Sequence, residues 1–417
     1  MQFYINGKAY RAYQNNVSKY VIYTAEDESI NEADVRIVLD SLGNDCIVRP
    51  LSSGIKAKCI KNEIAFKVSV PCKLSVEFSS DDIQPVFLFF YRYEDKQVQD
   101  GNLRYYGAGE HTEEEIRLNS GDILYLDEGA ILHSYIVAEK AENITICGRG
   151  IIDNSCYSST RRRMMIIREC KNVTVKDITL CGSNFWCCTL VGCENVLVDS
   201  VNIISWLMCG DGVDVVGSHD VTVQNCFMRT ADDCVAIKAT EYIGAAGMQN
   251  VYNVKIKSCV MWNANPGNGI EIGFETRCDE IYNIEFSDID IIHCEHEGWQ
   301  SGGAITIHNG DRAKIHDVVY RNIRVEDCVD KWFDFKILRS DYSKDEVRGS
   351  IENVLVENVA LIGGAFPPSI LSGFKANDSL VRNIRFVNIS AHGEWITGIL
   401  ECRMIAERTK DISFQVT

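Results

Sequence analysis

The residues best placed to do chemistry are three aspartates in the stretch CGDGVDVVGSHDVTVQNCFMRTADDCVAIK, running from Cys209 to Lys238. Asp211 precedes the adjacent pair Asp232 and Asp233 by 21 residues, about one coil of the repeat that surrounds them. A separation of one coil puts the two stretches on one face, on neighbouring rungs ~4.8 Å apart. Carboxylates that close cannot all ionise near neutrality, so one of them keeps its proton. An acid beside carboxylates is the equipment of glycoside hydrolysis. The acid protonates the departing oxygen and a carboxylate activates water on the other side, typically with ~6.5–9.5 Å between the two groups in inverting enzymes. Lys238, five residues beyond Asp233, is suited to balance the cluster's charge.

Such a cluster needs a scaffold that stacks distant stretches in register, and the chain carries one. From about Gly148 onward a short pattern recurs: Asn or Asp, a β-branched alternation, a second small polar step and another apolar pair. Its copies begin at Asn143, Asn172, Asn195, Asp220, Asn253, Asn283, Asp317, Asn353 and Asn383. Each reads as two short strands joined by a bend, with period-2 alternation and no helical period. One such unit cannot bury its apolar side alone. Coil must stack on coil, giving parallel sheets around an apolar interior, with extra loops where the interval lengthens. The leading Asn or Asp is expected at a bend, bonding the neighbouring backbone.

Residues 1–105 lack this repeat but alternate in segments such as KYVIYTA, IAFKVSV and VFLFFYRY. They are expected to form an antiparallel β-sandwich domain that caps the open end of a β-helix built from residues 106–417. The polar segment from Tyr93 to Gly109 reads as the junction.

Lys and Arg total 42 against 59 Asp and Glu, a net charge of −17, which disfavours nucleic acid and anionic polymers at long range. No apolar run reaches 18 residues and the start lacks a signal-peptide pattern, so neither a membrane partner nor export is expected. The 18 cysteines are scattered singly, apart from Cys187 and Cys188, and read as buried thiols of a cytoplasmic protein. Cys and His do not share metal-ligand spacings and no phosphate loop is present, so no metal or other cofactor is expected.

Over roughly Leu103 to Ser390 the chain resembles the polygalacturonase family, glycoside hydrolase family 28. The family's Asn-Thr-Asp motif matches Cys209, Gly210 and Asp211, and its Asp-Asp motif matches Asp232 and Asp233. The stretch from Arg161 to Ser205 follows the family pattern as well. The resemblance implies an all-β fold, a right-handed parallel β-helix. It also implies an inverting mechanism in which Asp232 is the general acid and Asp211 and Asp233 hold the attacking water. Two motifs depart from the pattern. Gly-His-Gly falls on Gly267, Asn268 and Gly269, and the basic Arg-Ile-Lys motif falls on Ile305 to Ile307, where no basic pair stands. Together with the net charge, this favours a neutral oligosaccharide or polysaccharide over polygalacturonan, because anionic sugars need cationic partners. A looser resemblance links DDCVAIK and MWNANPGNGIEIGFE to the dextranase family, glycoside hydrolase family 49, which also joins a β-sandwich to a β-helix.

Beyond the aspartates, Lys238, Asn268 and Glu275 are expected to contact substrate or support the acid, with Glu271 as readily structural. His308 and Asn309 follow a strand and are expected to line the cleft. Trp186 is the best candidate for stacking on a sugar ring; Trp206, Trp262 and Trp299 have packing as their default. The run Arg161 to Arg163 reads most simply as a solvated loop, and it is the one feature that keeps an acidic sugar in play. Two alternatives to a hydrolase are a Ca²⁺-dependent lyase and a non-catalytic glycan-binding solenoid.

Overall fold

A computed structural model describes the whole chain except residues 41–44, 81, 95–101, 158, 297–301 and 377–378. Trp299 and much of the expected junction lie outside the described residues. Two compact units divide between Asp100 and Gly101. The strand Asn102–Tyr106, assigned above to the first domain, pairs in parallel with Asp122–Leu126 and so belongs to the second unit. Its alternation looks like that of the sandwich strands, and only its partner distinguishes it.

The first unit is a β-sandwich of two five-stranded sheets. One is antiparallel in its described pairings. The other contains a parallel pair, Lys19–Thr24 against Val86–Tyr91, where an antiparallel arrangement was expected. Alternating residues of both sheets, among them Val35, Ile37, Leu74 and Leu88, close over a common apolar core.

The second unit is a right-handed parallel β-helix whose 30 strands form one continuous ladder. Apolar residues of successive coils stack in register. Ile144, Val173, Val196, Val221, Val254, Ile284, Val318, Val354, Ile384 and Ile412 make one such inner row. All of them except Ile412 are buried in the core.

The nine leading Asn and Asp residues have φ between 52° and 59°, the left-handed conformation that Asn and Asp tolerate better than most. Their side chains bond one another across coils rather than the neighbouring backbone: Nδ2 of Asn172 donates to Asn143 Oδ1 at 3.0 Å, Asn195 to Asn172 at 2.8 Å and Asn283 to Asn253 at 2.6 Å. Among the described residues no helix is long and apolar enough to cross a membrane. All 18 cysteines are free thiols, and Cys156 is the one that is exposed rather than buried or half-buried.

Candidate active site

One stripe of the β-helix carries the site. The strands Met165–Arg168, Cys188–Val191, Val213–Val216, Val235–Ala239, Ile270–Thr276, Ile305–Asn309 and Phe333–Ile337 pair in succession from their first residues. Two positions before each first residue stand Arg163, Trp186, Asp211, Asp233, Asn268, Gly303 and Lys331. Backbone hydrogen bonds continue the ladder through this stripe. Cys187 N donates to Asp211 O at 2.9 Å, Gly212 N to Asp233 O at 2.9 Å and Cys234 N to Asn268 O at 3.0 Å. The one-coil separation thus does place Asp211 and Asp233 on adjacent rungs.

One carboxyl oxygen from each of Asp211, Asp232 and Asp233 lies within 4.8 Å of the other two. Asp211 and Asp233 are buried, and Asp232 keeps part of its surface open to solvent. Burial and the charge of Asp211 push the Asp232 carboxyl up to about 7. Burial, then the charges of Asp232 and Asp211, push Asp233 well above the usual carboxylate range. The cluster therefore holds a proton near neutrality, and Asp232 is the member that can present it to a ligand.

Lys238 supplies the compensation. Its Nζ lies 2.7 Å from Asp211 Oδ2, 3.1 Å from Asp214 Oδ1 and 4.0 Å from Asp233 Oδ2. Burial opposes its charge, but Asp211 and Asp214 outweigh burial and hold the ammonium well above its usual range. Asp214 is a buried partner that the sequence reading passed over. The signal was a lone charge inside the apolar run VDVV.

Asn268 takes the histidine's place in the departed Gly-His-Gly motif. Its backbone N and side-chain Nδ2 both donate to Asp233 Oδ1, at 2.9 and 2.7 Å, while its Oδ1 accepts from Gly303 N at 2.9 Å. Gly267 before it has φ of 106°, and a Cβ there would sit 2.2 Å from the Asp232 carbonyl carbon. Only glycine lets the turn pass so close behind the aspartate pair.

These residues line a pocket of about 630 Å³, together with Arg161, Arg163, Trp186, Glu275, Phe274, Tyr242 and Tyr342. Burial raises the Glu275 carboxyl above its usual value. Tyr242 and Tyr342 stand on two loops that Arg277 joins, pairing with Glu241 on one and with Asp345 on the other. The Trp186 ring lies 4.2 Å from Lys238 Nζ and 4.5 Å from the Arg163 guanidinium, so it serves the cations rather than offering a free face.

Three expectations need correction. His308 does not line the cleft. It is buried, with Nδ1 2.9 Å from Glu271 Oε2, Nε2 3.1 Å from Asp334 Oδ2 and its ring stacked on Phe274. Glu271 also bonds Thr306 and turns inward to these partners rather than toward sugar. Asn309 is buried too, donating to the Ala313 and Ser350 carbonyls and accepting from Thr276. His308 points out of its strand as the alternation requires and is covered by Phe274 and Asp334, whereas Asn309, in register with the core residue Ile337, falls on the inward phase of that alternation. Nor is the run Arg161 to Arg163 simply solvated: Arg162 pairs with Glu115, and its two neighbours face the pocket. Arg312 and Lys314 do not take over for a basic pair at 305–307, since they pair with Asp279, Asp345 and Glu352.

A family model described as "Glycosyl hydrolases family 28" matches residues 133–361, which is more than half of the chain and includes every residue of the aspartate cluster. The chain belongs to glycosyl hydrolases family 28. A probable polygalacturonase of Arabidopsis thaliana is 24% identical over 230 residues, 52% of this chain and 47% of that one. The chain spans about half the length of the curated relatives it matches. Among solved structures, a family 28 exopolygalacturonase of Yersinia enterocolitica superposes with a TM-score of 0.57 at 13% identity, covering 93% of this chain and 96% of that chain. Dex49A of Penicillium minioluteum superposes with a TM-score of 0.56 at 12% identity, over 96% and 83%. At such identities the two superpositions establish the fold.

Proposed function

We propose that this family 28 member hydrolyses the glycosidic bonds of galacturonate-containing oligosaccharides with inversion, Asp232 acting as general acid. The observation that carries the reading is the Asp232 carboxyl, open to the pocket and held up to about 7 beside Asp211 and Asp233. Asp232 gives its proton to the departing glycosidic oxygen as the bond to the anomeric carbon breaks. Water held between Asp211 and Asp233 attacks that carbon from the other side and loses its proton to Asp211.

The carboxyl oxygens approach more closely, within 4.8 Å, than the ~6.5–9.5 Å usual between the groups of inverting sites. Inversion is favoured instead by how the two bases are held. Asp211 is pinned by Lys238 and Asp233 by two donors of Asn268, which suits each to hold water and spoils it as a covalent nucleophile.

Net charge and the vacant basic motif argued for a neutral glycan. Net charge is an average over the molecule and does not set the field inside one pocket. The relatives that the chain matches are named polygalacturonases, and this supports an acidic substrate. The test is product analysis on oligogalacturonides and neutral glycans, with the first-formed anomer followed by NMR. Release of the inverted anomer from an oligogalacturonide is expected; retention, or turnover of neutral glycans alone, would refute the proposal.

A further inference from the structure

We infer that Arg161 and Arg163 form a subsite for the carboxylate of a hexuronic acid unit, on the opposite side of the aspartates along the solenoid from the vacant basic motif. This rests on the hydrolase reading above and names the group that gives it acid specificity. At the family's own basic position, Ile305 and Ile307 face the core and Thr306 is spent on Glu271 and on the Ile270 carbonyl. An acidic sugar must find its cation elsewhere.

Three consecutive arginines meet different fates. Arg162 is committed to Glu115 and lies over the Tyr135 ring. Arg161 and Arg163 line the pocket, and among the described residues neither has a carboxylate within ion-pair distance. Both guanidiniums lie over Phe185, 4.7 and 4.8 Å from its centroid, and Arg163 also lies 4.5 Å from that of Trp186. The rings hold both guanidiniums in place and, apart from the contact of Arg161 Nη2 with Cys209 Sγ, leave their N–H groups for a ligand, a donor fork that suits a carboxylate. The buried Nε of Arg163 has no hydrogen-bond partner, an unmet donor at the pocket wall.

Position fits the chemistry. Arg163 stands two rungs before Asp211 in the stripe, about 10 Å along the axis at ~4.8 Å per rung, within reach of a sugar unit next to the scissile bond. Arg161 Nη2 lies 3.3 Å from Cys209 Sγ, and the Cys209 backbone N donates to Asp232 Oδ2 at 3.1 Å. Arg161 is thus one residue, Cys209, removed from the acid.

The test measures binding by calorimetry in an Asp232→Asn background, so that no turnover intervenes. The ligands are trigalacturonate and its methyl ester. Arg161→Met and Arg163→Met keep an apolar stem on the rings and remove the charge, and circular dichroism checks that each variant folds. Each is expected to weaken trigalacturonate binding about tenfold or more, while ester binding stays within about threefold. Equal weakening of acid and ester, or no change for the acid in both variants, would overturn the subsite. Binding of trigalacturonate that depends on the arginines, in a protein whose wild type does not cleave it, would sink the hydrolase proposal and leave the subsite standing.

Discussion

The side-chain amide of Asn268 stands 2.7 Å from Oδ1 of Asp233, on the rung next to it, and the Asn268 backbone N–H reaches the same oxygen at 2.9 Å. A family 28 member without the motif histidine therefore still fixes the orientation of its second aspartate with two neutral donors. Asn268→Asp keeps the shape and replaces a donor by a buried carboxylate facing another. A loss in kcat/KM of roughly 5- to 150-fold is expected from a buried unpaired group, partly recovered at low pH. Steady-state kinetics from pH 4 to 8 would measure it, and an unchanged rate at pH 7 would remove Asn268 from the mechanism.

Asp232→Asn is expected to lower kcat by about 10² to 10⁴, the usual worth of a positioned acid. The fold should not suffer. The Asp232 carboxyl is raised from 3.8 to about 7 by burial and by Asp211, so the folded state binds this proton more tightly than the unfolded chain does. Its contribution to stability is then lost as pH rises from about 4 through about 7. Asp232→Asn should melt above the wild type at pH 8, with the gap closing toward pH 4. Calorimetric melting of both proteins at the two pH values decides this.

The same group predicts the basic limb of activity. As pH rises above about 7, Asp232 loses the proton it must donate, and kcat/KM should fall about tenfold per pH unit. A flat profile from pH 6 to 9 would point to another acid.

Lys238→Met removes the ammonium that Asp211, Asp214 and Asp233 share. Uncompensated buried charge costs about 3–5 kcal/mol, so the denaturation midpoint at pH 7 should drop sharply and recover as the carboxylates protonate. Activity should be insensitive to EDTA, because the lysine fills the role that a cation would otherwise play among these carboxylates. A requirement for Ca²⁺ would favour the lyase alternative.

Asn283→Ala tests the corner of the coil. It loses the bond to Asn253 and must hold Ala at φ near 54°, which costs about 1–2 kcal/mol. Asn283→Gly should cost less, since glycine accepts that φ without strain. Chemical denaturation of the two variants ranks them, and equal losses would assign the whole effect to the side-chain bond.

The architecture was legible because corner residues and inner rows recur along the chain, and the rung pairing of Asp211 with Asp233 followed from spacing alone. The misread residues were of another kind. His308 takes the outward phase of its strand and Asn309 the inward one, and nothing local says that Asp334 will bury the first or that the segment around Ser350 will bond the second. Arg161 and Arg163 look like solvent-facing charges until Phe185 and Trp186 are known to lie beneath them. Spacing shows which coil a residue belongs to; what covers it depends on loops whose paths the repeat does not encode.

The ladder of left-handed Asn and Asp corners has a consequence for how such a molecule can change over generations. Each corner is closed by one residue bonded to a counterpart on at least one neighbouring coil, so the chain leaving the coil elsewhere can lengthen or shorten without breaking that bond. Loops such as those bearing Tyr242 and Tyr342, which meet the spine through Arg277, can then be exchanged while the corner bonds stay in place, and new specificities can be tried on one inherited floor of aspartates.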